Sequence, residues 1–170
     1  MSIKSWKAEF YPYPASKFLS LHRNIDITIR ALKHSLQKWR GLTKENLEKH
    51  GLYAEGHNIY KSDNYKSVFS VDAYSCALCA LFYSDSPSKK GEVYFAVESG
   101  SLHPYRCSAC PLVAVRGVPC DYLKKGEGDF TPYTQFAVDG DTKPMVKLLE
   151  KALAKFLERV NTPLVQLKEK

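Results

Sequence analysis

Four of the five cysteines in this chain fall into two pairs of the same spacing, Cys76-x2-Cys79 in SCALC and Cys107-x2-Cys110 in CSACP. Two intervening residues let the backbone turn back so that both sulfurs of a pair reach one ion at about 2.3 Å. Two such knuckles complete a tetrahedral thiolate set, which suits Zn²⁺, a borderline-soft ion with no geometric preference of its own. An iron–sulfur cluster needs the same four thiolates and is the alternative cofactor. A lone pair would also fit two buried small hydrophobes or a redox dithiol. Two pairs in a chain otherwise nearly free of cysteine favour a metal. The 27 residues between the pairs exceed the spacing of many small fingers, as in a zinc ribbon carrying an insertion.

The fifth cysteine, Cys120 in RGVPCD, is an alternative ligand or an inert buried thiol. His103 in LHPYRC is a weaker alternative, because a lone histidine is more often structural than coordinating. Four protein thiolates would close the coordination sphere, whereas a catalytic zinc keeps a position open for water. The expectation is therefore a structural site, with Arg106 and Arg116 beside the second pair to offset its −2 charge, unless they are ordinary surface arginines.

At 170 residues the chain is the size of one domain with a real core, and no run approaches the roughly 18 apolar residues of a membrane span. The opening MSIKSWKAEFYPYP has no continuous apolar stretch and does not read as a secretory signal. An odd cysteine count without such a signal points to a reducing cytoplasm rather than a disulfide framework. The net charge is +7, with ten Lys/Arg against four Asp/Glu in residues 1–50. Four thiolates on one Zn²⁺ would bring the total to about +5, a moderate basicity.

Ile25, Ile29, Leu32, Leu36 and Trp39 form one apolar stripe of an amphipathic helix. Arg30, Lys33, Lys38 and Arg40 lie largely off that stripe, as a candidate nucleic-acid face or a plain solvated one. His34 and Lys38, one turn apart, read as part of the same exposed polar face. EFYPYP (9–14) reads as an extended lead-in to this helix. GLTKENLEKHG (41–51) reads as a second helix, capped by Thr43, stapled by Leu42 onto Leu47 and ended by Gly51. Residues 57–74 alternate around an SDN turn, as in a β-hairpin, and EVYFAVE (92–98) reads as a third strand after a loop at 86–91. Residues 99–128 look irregular. Thr131-Pro132 opens a short helix, and Met145, Leu148, Leu149, Ala152, Phe156, Leu157 and Val160 mark a longer one, stopped at Asn161-Thr162-Pro163.

The expected architecture is a single α+β domain. A helical hairpin spans 1–52, strands and zinc-ribbon-like knuckles 53–130, and a helical end 131–170. No H-E-x-x-H, Walker A, G-x-S-x-G or G-x-G-x-x-G occurs, and the deaminase signature is incomplete. An enzyme of unfamiliar design, a nuclease or nucleotide-modifying enzyme, would need carboxylates near the metal. Asp72, Asp121 and Asp129 are nearest by sequence.

SWKAEFYP, HSLQKWRGLTKENLEKHGL (34–52), SCALC and CSACPLVAVRGVPCD (107–121), followed by Thr131-Pro132-Tyr133, together resemble a family of small cysteine-rich bacteriophage and prophage proteins. Its members share a W-x-x-E-F-Y start, a K-W-x-G-L-x-x-E-N-L segment and a C-x-L-C…C-x-x-C-P-L…R-G…C core. The insertion between the pairs is longer here. The resemblance implies phage origin and work in the host cytoplasm. It also places Cys120 in the core pattern and brings no catalytic residues. The expectation is a zinc protein without catalytic activity that binds a macromolecule, either a host protein or nucleic acid.

Overall fold

The structure is a computed structural model and describes residues 2–82 and 109–161. The strand expected at 92–98, the loop at 86–91, His103, Arg106, Cys107 and the Thr162-Pro163 stop lie outside those residues.

The chain opens with helix α1 (Ile3–Phe10), where Ser2 and Ser5 cap each other reciprocally. The expected extended lead-in therefore begins later. The steric effect of Pro12 reaches only one residue back, to Tyr11, so Glu9 and Phe10 remain helical. A short 3₁₀ turn follows at Ala15–Phe18.

Helix α2 (Ile25–Gly41) is capped by Asn24, whose side chain accepts the Ile27 N–H. Ile29, Leu32, Leu36 and Trp39 are buried as the stripe requires, while Ile25 at its first position is 39% exposed. The buried face is wider than the stripe and takes in His34, Ser35 and Lys38. The α2 terminus meets α1 at close range. Trp6 Nε1–H donates to the Gly41 carbonyl at 2.7 Å, and a Cβ on Gly41 would stand 2.3 Å from Phe10 Cγ.

Helix α3 (Lys44–Lys49) has Thr43 as its N-cap, Leu42 and Leu47 buried together, and Gly51 at φ +67°. It packs mainly on the strand that follows, and the helix lying along α2 is the C-terminal one.

Three antiparallel strands form one sheet in the order β1 (Leu52–Glu55), β2 (Asn58–Lys61) and β3 (Asn64–Ser70). β1 is an addition to the expected hairpin. It is set by a turn at Gly56, φ +57°, with Tyr53 opposite Tyr60 and their rings stacked at 5.4 Å. β3 ends at Ser70 because Asp72 turns the chain into a second 3₁₀ turn, Ala73–Ser75.

Helix α4 (Ala77–Phe82) then begins directly after Cys76. Within the stretch expected to be irregular, α5 (Pro111–Arg116) forms between a proline at its first position and Gly117 at φ +87°. α6 (Pro132–Asp139) carries the expected Thr131 cap. α7 (Lys143–Asn161) buries Met145, Leu148, Leu149 and Ala152 along α2 and α5.

The architecture is α+β, with one small antiparallel sheet beside helices. Its core runs through Trp6, Phe18, Leu32, Trp39, Leu52, Ile59, Leu78 and Phe136. Each of these large side chains contributes about 1.5–3 kcal/mol when fully buried. Among the described residues no helix is long and apolar enough to cross a membrane.

Candidate metal centre

The first cysteine pair is delivered by the 3₁₀ turn. Asp72 Oδ1 accepts the Ser75 N–H at 3.0 Å, and Ser75 Oγ both accepts the Asp72 N–H and donates to its carbonyl, each at 3.0 Å. This reciprocal cap places Cys76 at the head of α4, where its sulfur accepts the backbone N–H groups of Leu78 and Cys79. Cys79 sits one turn into the helix with its thiol hydrogen-bonded to the Cys76 sulfur.

Cys76 is held down to about 5, first by the Cys79 hydrogen bond, against a burial cost, and then by the charge of Lys38 and the two N–H groups. That shift favours the thiolate, the form a metal requires.

Lys38 comes from α2 and is 1% exposed. Its Nζ donates to the Ser75 carbonyl at 3.0 Å and to Ser75 Oγ at 3.2 Å. Burial pushes the ammonium below its usual range, and negative charge on Cys76, Cys79, Asp72 and Cys120 pushes back. The placement of Lys38 on an exposed nucleic-acid face is thus corrected, and so is the reading of His34. Both point inward.

His34 Nε2 lies 2.8 Å from the Tyr13 carbonyl, so it carries the ring proton, and the rings of Tyr11, Tyr13 and Phe18 surround it. The inward turn was visible in part. Ala31, Ser35 and Lys38 sit at i, i+4 and i+7, a second column beside the apolar stripe whose first two members are small enough for close packing.

Cys120 acts electrostatically on both Lys38 and Tyr133. Its carbonyl accepts the Tyr133 N–H at 3.3 Å, and the Tyr133 hydroxyl donates to the Val71 carbonyl at 2.7 Å. Burial first, and then negative charge on Asp72, Cys120, Asp121 and Cys79, pushes that phenol far up. The His57 ring stacks on Tyr133 at 4.3 Å and 14°. Cys76, Cys79 and Cys120 thus share Lys38 as an electrostatic neighbour.

The loop before Cys120 is fastened by Arg116, whose Nη1 donates to the Pro119 carbonyl while its Nε and Nη2 grip the Glu127 carboxylate. Arg116 is buried in that pairing. It is therefore neither a surface arginine nor free to neutralise a metal centre, the role expected of it. Among the described residues the buried basic side chain in the electrostatic neighbourhood of the thiols is Lys38.

Cys110 is buried at the head of α5, ahead of Pro111. Among the described residues, which do not include Cys107, no three Cys, His, Asp or Glu side chains are arranged to hold a metal ion. The donor chemistry of the first pair nonetheless fits a soft divalent cation, as a thiolate at a helix head with a second thiol hydrogen-bonded to it.

The carboxylates are arranged less favourably for catalysis. Asp72 caps the 3₁₀ turn, Asp129 is exposed, and burial pushes Asp121 up toward its neutral form, with Oδ1 lacking a hydrogen bond among the described residues.

On the candidate nucleic-acid face Arg30, Lys33 and Arg40 are exposed. Arg40 Nη2 pairs with Glu150 on α7 at 2.8 Å. Lys33 and Arg40 rim an open groove of about 640 Å³ whose walls include Phe10, Leu36 and Leu153.

No family model matches the chain, and no curated protein or solved structure shows significant similarity to it.

Proposed function

We propose that this chain is a metal-stapled binding protein of phage type, with Zn²⁺ as the metal and a host protein as the partner. The observation that carries the reading is the Cys76-x2-Cys79 pair set at the head of α4 by the Asp72–Ser75 cap, with the sulfur of Cys76 held toward the thiolate and Cys120 in the same electrostatic neighbourhood. In this reading Cys76 and Cys79 form the first knuckle, a zinc-ribbon-like one. Cys107 and Cys110 supply the second, and Cys120 is the alternative ligand. When bound, the ion supplies a rigid cross-link and no reaction step.

A protein partner is favoured over nucleic acid because the basic face is thinner than its charge count suggests. Lys38 has left it, and Arg40 is paired with Glu150. The phage resemblance and the host cytoplasm as workplace belong to the same proposal.

The test combines elemental analysis and visible absorption of the purified protein with capture from host lysate before and after nuclease treatment. One zinc per chain, no visible band and a nuclease-resistant protein partner are expected. A brown, iron-containing preparation would replace the zinc reading with a cluster. Binding to nucleic acid that falls steeply with salt, and is lost when Arg30 and Lys33 become Glu, would replace the protein partner. Metal-dependent turnover of nucleic acid or nucleotides would replace the binding reading with an enzyme.

A further inference from the structure

We propose that Ser5, His50 and Glu9 form a nucleophile–base–carboxylate relay, with Ser5 as a nucleophile toward activated acyl groups carried as esters. The relay shares no residue with the thiol site, so it goes beyond the metal-stapled binding reading and stands or falls apart from it.

Ser5 and Glu9 lie one turn apart on α1, and His50 caps the C-terminus of α3. Ser5 Oγ is 2.8 Å from His50 Nδ1, and His50 Nε2 is 3.1 Å from Glu9 Oε2. The hydrogen bond from Lys49, more than any other contact, holds the Glu9 carboxyl below its ordinary range. An ionised carboxylate only accepts, so in the neutral ring Nε2 carries the proton and the Nδ1 lone pair faces the hydroxyl. A base within hydrogen-bond reach of a hydroxyl, itself oriented by a third group, is the arrangement that activates a nucleophile.

His50 is buried and fixed. Its backbone N–H donates to the Leu47 carbonyl at 2.9 Å, and the Phe10 ring stands edge-on to the imidazole at 6.1 Å. Ser5, by contrast, is exposed. A held base thus meets a hydroxyl that an incoming carbonyl can reach.

Capping alone does not call for this set. Ser2 N–H donates to Ser5 Oγ at 3.1 Å and Ser5 Oγ donates to the Ser2 carbonyl at 2.8 Å, a cap complete without His50. The hydroxyl proton therefore has two acceptors, and its transfer to Nδ1 leaves an alkoxide that the Ser2 N–H supports. The first-turn N–H groups of Ile3 and Lys4 have no partner within the helix and are the nearest donors by sequence for an oxyanion.

In the reaction, Ser5 Oγ bonds to the ester carbonyl carbon as its proton passes to Nδ1. The bond from that carbon to the leaving alkoxide breaks, and Nδ1 returns the proton, giving acyl-Ser5 and an alcohol. Water, deprotonated by Nδ1, then releases the carboxylic acid and restores the serine. Glu9 acts through His50 as a positioning residue.

The experiment treats the full chain with a fluorophosphonate, a serine-directed electrophile, and maps the adduct by mass spectrometry. Hydrolysis of p-nitrophenyl acetate reads turnover, and circular dichroism checks folding. Wild type should be labelled on Ser5. In Ser5→Ala that adduct should be absent and turnover should fall to that of the denatured chain. His50→Gln should slow labelling about 100-fold. Glu9→Gln should slow it less, and Glu9→Asp should recover part of the rate, with the wild-type spectrum kept throughout.

Folded wild type without an adduct on Ser5 would overturn the relay. So would labelling as fast in Glu9→Gln as in wild type, the result a merely structural Glu9 predicts. Ser5 and Glu9 are exposed, so their variants decide the matter even where His50→Gln does not fold. None of these outcomes depends on zinc content, which tests the metal reading by itself.

Discussion

Two faces of the C-terminal half of α2 are organised by different physics. One meets α1, α6 and α7 through aromatic and aliphatic packing. Trp39 stands edge-on to Phe136 at 5.4 Å, and Trp6 closes on Gly41. Around Ser35 and Lys38, by contrast, the same helix faces a polar interior of caps, thiols and an ammonium. The apolar region is held by its own side chains, and touches the other face where Lys38 Nζ lies 5.6 Å from the Trp39 ring centroid. The thiol region buries Lys38 against the Ser75 carbonyl and hydroxyl, and the proposed ion would add to its stability.

Substituting Trp39 by Ala tests the first half of that contrast and carries the largest expected effect. It should cost about 3–5 kcal/mol of unfolding free energy. The loss should be the same with metal present or removed, as denaturant melts would show. An effect confined to one metal state would mean the two regions are not separable.

Metal removal tests the second half. At a metal concentration near 100 times its dissociation constant, the proposed ion would contribute about 2.7 kcal/mol of apparent stability. Stripping the ion with a chelator, or replacing Cys79 with Ser, should forfeit that contribution. It should also raise amide hydrogen exchange in α4 and α5 before the middle of α7 is affected. Uniform loss of protection along the chain would break the comparison.

The smallest expected effect concerns His34, in the aromatic region. Burial holds this imidazole below its ordinary value of 6.5, against a hydrogen bond from its ring to the Tyr13 carbonyl. Below 6.5 the unfolded chain binds this proton more readily than the folded one, so stability falls as pH drops through that value toward the lower folded one. Replacing His34 with Gln, which keeps a donor for the carbonyl, should flatten that part of the stability–pH profile. An unchanged slope would show that His34 does not titrate differently on folding.

Much of the fold follows from local rules that act over one turn. The Thr43 and Thr131 caps, the stop at Gly51, the α2 and α7 helices and the SDN turn all form where their residues demand, although Ile25, Leu157 and Val160 at the ends of the two stripes are exposed. α1 and α5 were legible by the same rules. Ser2 with Ser5 is a reciprocal cap, and Pro111 with Gly117 brackets a helix. The prolines at 12 and 14 and the cysteine-rich composition suggested irregular chain instead. β1 had no comparable signal. Its four residues are strand because β2 offers a partner in register, which is a property of the pair.

For the candidate site, spacing alone singled out Cys76 and Cys79 as partners, since three residues of separation constrain two sulfurs whatever surrounds them. Spacing could not bring Cys120 into the electrostatic neighbourhood of Lys38, turn Lys38 inward or commit Arg116 to Glu127, because those depend on which distant elements pack together. A lysine beside an apolar stripe is solvated or buried according to what covers it. Here α4 and the Asp72–Ser75 turn cover it, an outcome decided by long-range packing and not by the residues on either side of Lys38.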